Sequence, residues 1–114
     1  MKDQSRAPVY SFLVPLMVAA ARKHGYALAL HGSMNRDIDV VAIPWTEDAC
    51  SAEVVAESIA QAVGSSLATH FTDANKDNAV TELPTRKPHG RLGYLIYLNG
   101  GFYIDLAIVP RKYE

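Results

Sequence analysis

Cysteine is nearly absent from this chain: Cys50 is the single one in 114 residues, and no internal disulfide can form. A reducing, intracellular setting follows, and a cytoplasmic protein is the expectation. The four histidines, His24, His31, His70 and His89, show neither H-x-x-H nor H-x-x-x-H spacing. With one thiol beside them they do not suggest a Cys/His zinc site. An excess of one charge is missing as well. Eleven Lys and Arg against twelve Asp and Glu leave a net charge of −1. No global positive field attracts nucleic acid, which is not an expected partner. Repeats, low-complexity tracts and linkers are absent too. At 49% hydrophobic and 20% charged, the chain can bury a real core and reads as one domain over residues 1–114.

No apolar run is long enough to cross a bilayer, and no membrane partner is expected. Ala7 to Ala21 comes nearest. Lys2 and Arg6 precede it, and Ala19-Ala20-Ala21 has the small residues of a signal-peptidase site. Arg22, Lys23 and His24 followed by Gly25 nevertheless read better as the basic end and glycine stop of a first helix. Val9, Phe12, Leu13, Leu16, Met17 and Ala20 fall on one face of that helix. Pro15 predicts either a kink or a regular helix that begins near Val14.

Tyr26 to His31 reads as a strand, Gly32 to Arg36 as a turn, and Asp37 to Ile43 as an interior strand closed by Pro44. Thr46-Glu47-Asp48 predicts a second helix start, with Val55, Ile59, Ala62 and Val63 as its buried stripe and Gly64 as its stop. Leu67 to Phe71 and Ala79 to Leu83 suit short strands around a polar turn at Asp73 to Asp77. Leu92 to Leu98 and Phe102 to Val109 flank Asn99-Gly100-Gly101, a hairpin signal. If Asn99 and Gly100 are the two turn residues, Leu98 pairs with Gly101 and Tyr94 with Asp105. The order is helix, two strands, helix, then three or four strands. It predicts an α/β (α+β) domain: a mixed sheet with two main helices packed on it and a C-terminal hairpin.

The stretch His31-Gly32-Ser33-Met34-Asn35-Arg36-Asp37-Ile38-Asp39 carries the chemistry. Asp37 and Asp39, two positions apart at the head of a strand, project from the same side. Their repulsion becomes useful when a divalent cation sits between them. Asp105 lies in the otherwise apolar Phe102 to Val109, and a carboxylate there needs a partner. A cation shared with Asp37 and Asp39 supplies one; a salt bridge to Arg36, Arg91 or Arg111 is the other way. Hard oxygen ligands suit Mg²⁺ or Mn²⁺, and two such ions can serve phosphoryl chemistry together. Gly32 and Ser33 can present backbone N–H groups and a hydroxyl to a phosphate.

A Gly-Ser turn, an Asp-x-Asp pair on the next strand and a third carboxylate on a later one make the chain resemble the DNA polymerase β-type nucleotidyltransferase superfamily. It is most similar to the small prokaryotic and phage members. The resemblance covers Gly32 to Asp39 tightly and most of the chain by topology. It implies a nucleotidyltransferase-like fold and Mg²⁺-dependent transfer of a nucleoside monophosphate from an NTP to an acceptor, a small molecule or a protein. It implies that Asp37, Asp39 and Asp105 hold the metal, that Asp105 helps activate the acceptor, and that Gly32, Ser33 and Arg36 meet the triphosphate. Only three residues separate Ser33 from Asp37, fewer than is usual in the family. The helical domain by which most members recognise the acceptor is not among these 114 residues. A binding module that keeps the fold without turnover, and a phosphohydrolase or nuclease using the same carboxylates, are therefore alternatives. A homodimer is a further expectation, from an exposed sheet edge.

Around this constellation, His31 reads as a packed strand residue and Trp45 as core. Tyr94 and Tyr103 read as sheet packing or as rings that can stack on a base. Arg86 to Arg91 reads as a solvated loop or a basic lid over the phosphate site. Cys50 sits at a helix start with no evident activating partner.

Overall fold

The computed structural model describes residues 7–32, 37–98 and 101–111. Helix α1 spans Ala7–Lys23 and runs without interruption through Pro15. Strands β1 (Tyr26–His31) and β2 (Ile38–Pro44) follow, then α2 (Ala52–Ala62). Strands β3 (His70–Asp73) and β4 (Ala79–Glu82) are joined by a short 3₁₀ turn. Three further strands end the chain: β5 (Thr85–Arg86), β6 (Leu92–Leu98) and β7 (Phe102–Ile108). The main sheet has the order β1-β2-β7-β6-β5, while β3 and β4 form a separate two-stranded arm. Only β2 and β7 run parallel; the other pairs are antiparallel. The architecture is the mixed α+β sheet with two helices that the sequence predicts. Five strands follow α2 rather than three or four, because the two-residue β5 is a separate element.

Alternation divides the sheet. Ile38, Val40 and Ala42 from β2 and Ile104, Leu106 and Ile108 from β7 are fully buried. They meet Tyr94 and Ile96 from β6, Tyr10, Met17 and Ala21 from α1, and Val55, Ala56 and Ile59 from α2 in one core. Among the described residues, no helix contributes to the opposite face, where Asp39, Tyr103 and Asp105 alternate with those core positions.

Four details differ from the sequence reading. Of the predicted face of α1, Met17 is buried and Leu13 and Ala20 pack against the core, but Tyr10 and Ala21 complete the packed side and Val9, Phe12 and Leu16 are exposed. This helix is apolar nearly all round, so spacing alone did not select its inner face. α2 begins six residues after Thr46, at Ala52, with the Ser51 hydroxyl accepting from the Val54 N–H. Residues 45–50 are instead tied back to the end of α1, through bonds from Trp45 and Thr46 to the Gly25 carbonyl and from Cys50 to the His24 carbonyl. Trp45 is 80% exposed and not core. Finally, Leu98 pairs with Phe102, Tyr94 with Leu106 and Leu95 with Asp105. The β6–β7 connection is thus three residues long, with Gly101 in the left-handed region (φ +78°) that such loops place last. The conformation of Asn99 and Gly100 lies outside the described residues. This one-residue change of register matters, because it sets Tyr94 on the core face and Asp105 on the uncovered one.

Candidate functional site

The uncovered face gathers the three aspartates at the end of the β2–β7 pair. Asp39 and Asp105 are register partners on parallel strands, so their Cα atoms stand roughly 5 Å apart. Asp37 lies just ahead of β2, one position before the Ile38–Ile104 pair. That places it beside Tyr103, whose hydroxyl donates a hydrogen bond to its carboxylate. Tyr103 reports the convergence. Its hydroxyl is held above its ordinary pKa of 10.0, first by partial burial, then by the charges of Asp37, Asp105 and Asp39 and by the bond to Asp37. All three carboxylates therefore act on one phenol. The Tyr103 ring meets Tyr97 of β6 edge to face, with centroids 6.4 Å apart.

Gly32 closes the site from the β1 side. Its φ is +82°, and a Cβ built there would stand 3.0 Å from Asp39 Oδ2. A side chain would be strained and would crowd the carboxylate, so glycine brings bare backbone against Asp39. Ser33 and Arg36, the other residues the resemblance assigns to a triphosphate, lie outside the described residues. His31 stands opposite Asp39 in the β1–β2 register and is exposed rather than packed. The two-residue alternation of β1 puts it on the uncovered face, a placement that the sequence carried but that composition alone obscured.

Among the described residues the partner of Asp105 is neither Arg91 nor Arg111, and Arg36 lies outside them. Lys87 Nζ lies 3.3 Å from Asp105 Oδ1. Arg91 Nε donates to the Pro88 carbonyl, and Arg111 Nη1 to the Ala49 carbonyl. Lys87 is thus the one residue of the basic segment 86–91 that enters the site as described, and it does so from the residue after β5. A cavity of about 170 Å³ opens there, bounded by Lys87, Gly93, Leu95 and Asp105 and by Phe71 and Thr81 of the arm. A larger one, about 570 Å³, lies between α2 and Leu83-Pro84 and contains none of the aspartates. The larger cavity and the three carboxylates lie in different places, and the carboxylates mark the site because like charges gathered on neighbouring strands are costly unless offset. Elsewhere, Cys50 does have a neighbour, His24 Nδ1 at 3.4 Å from its Sγ.

The donor set fits a hard cation in kind: three carboxylates reached by solvent, two on strands that the core fixes in place and Asp37 just ahead of one. As the side chains stand, no group of three His, Cys, Asp or Glu among the described residues closes around one point. Asp105 is engaged with Lys87 instead. No helix among these residues is long and apolar enough to cross a membrane. The chain matches no protein-family model, no curated protein and no solved structure.

Proposed function

We propose that this chain is a nucleotidyltransferase of the DNA polymerase β type, which transfers a nucleoside monophosphate from an NTP to an acceptor. The observation that carries the reading is the pairing of Asp39 with Asp105 across parallel strands, on the face without helices, with Asp37 two residues upstream and Gly32 against Asp39. Asp37 and Asp39 would hold Mg²⁺ or Mn²⁺, with Asp105 beside them. When bound, the ion offsets the charge of the triphosphate and of the departing pyrophosphate. The backbone at Gly32 leaves room for a phosphate beside Asp39. Asp105 would accept the proton of an acceptor hydroxyl as its oxygen bonds to the α-phosphorus and the bond to the β-phosphate oxygen breaks. Tyr103, protonated through the neutral range, holds the Asp37 carboxylate in place.

The Lys87–Asp105 ion pair favours a second reading, a fold of the same kind that binds nucleotide without turnover. Incubating the full chain with each NTP and Mg²⁺ separates the two. Pyrophosphate release that is lost in Asp39→Asn supports transfer. Inorganic phosphate points to a hydrolase on the same carboxylates. Metal-dependent nucleotide binding without either product points to the binding module. Absence of both binding and product refutes the nucleotide reading.

A further inference from the structure

Lys87 is a cation that the fold itself delivers to the third carboxylate. It leaves the sheet at the end of β5, where its N–H bonds to the Arg91 carbonyl, and its side chain turns back across β6 to Asp105. Gly93 makes this path possible. A Cβ at that position would stand 2.5 Å from Lys87 Cε, 3.2 Å from its Cδ and 2.8 Å from Thr85 Oγ1. Gly93 is buried, one residue inside the start of β6, and is not among the positive-φ glycines. Its backbone does not demand glycine; the space over it does. Glycine inside a strand weakens the strand, and here it leaves a channel in which the lysine stem lies over the sheet. Both charged ends remain 31% exposed, so the pair is open to exchange with solvent.

Charge balance says what this arrangement does. Among the described residues, three carboxylates and one ammonium leave two negative charges, the complement of a single divalent ion. We propose that Lys87 stands in for a second cation at Asp105, so that the centre takes one divalent ion, at Asp37 and Asp39, rather than two. The inference rests on reading the three aspartates as a cation centre. Lys87 is a positioning residue in this account: it fixes Asp105 and sets the number of ions.

The test counts ions and needs no turnover. Mn²⁺ is titrated into the full chain, into Lys87→Met, Lys87→Arg and Gly93→Ala, and into Asp39→Asn, with free ion read by electron paramagnetic resonance. One ion per wild-type chain is expected, none in Asp39→Asn and two in Lys87→Met. Lys87→Arg should stay at one. Gly93→Ala, which displaces the lysine stem without touching a charge, should move toward two, and it carries the test if Lys87→Met does not fold. Two ions in the wild type overturn the inference, as does a second site that fails to appear in both Lys87→Met and Gly93→Ala. No ion in the wild type or in either variant overturns the cation centre itself, an outcome distinct from both.

Discussion

The two faces of the β2–β7 pair are built from alternate residues of the same strands and behave as opposites. Ile38, Val40, Ile104 and Leu106 are fully buried beneath the helices. Asp39, Tyr103 and Asp105, each one position away from these, keep access to solvent. The difference teaches how a small domain affords a cluster of like charges. Asp39 and Asp105 lie directly across from each other on neighbouring strands, a destabilising arrangement by itself. The buried face holds the strands in register regardless, so the carboxylates stay together where a cation, or Lys87, can offset them.

The largest break in this comparison should come from the buried face. Leu106→Ala removes a fully buried side chain and should cost about 2–5 kcal/mol in urea denaturation. Asp105→Asn, one position earlier, should change stability by less than about 1 kcal/mol, because the ion pair it loses with Lys87 is partly exposed. A loss as large as that of Leu106→Ala would mean that the uncovered face is structural. The smallest effect is confined to alkaline solution. The Tyr103 hydroxyl holds its proton more tightly in the folded chain than in the unfolded one, where it titrates near 10.0. Its stabilising contribution is therefore complete below that pH and is lost as pH rises through the raised folded value. Denaturation midpoints followed upward from pH 9 to 11 or so (about the ordinary range of a phenol) should fall less steeply in Tyr103→Phe than in the wild type.

Much of this comparison was legible in the residues. The apolar runs around Ile38 to Ile43 and Phe102 to Val109 announce strands, and aspartates inside them announce a face that is not core. Two helices, the terminal hairpin and the mixed sheet follow from periodicity and turn chemistry. What the sequence left open has specific causes. Asn99-Gly100-Gly101 accommodates a two- or a three-residue loop, and only packing of Tyr94 against the helices chooses between them. Phe12 and Met17 are equally apolar, so the inner face of α1 depends on the sheet below it. Lys87 reaches Asp105 through the space above Gly93, a contact between three segments that no local pattern encodes. His31 was visible on strand alternation, since it shares a parity with Ala27 and Ala29 rather than with the buried Tyr26.

Cation binding on the uncovered face can be read from the thermal midpoint of the wild type and of Asp39→Asn with and without Mg²⁺. A ligand that binds only the folded state raises its midpoint. Mg²⁺ is expected to raise the wild-type midpoint and to leave that of Asp39→Asn where it was. An equal shift in both proteins, or none in the wild type, would contradict it.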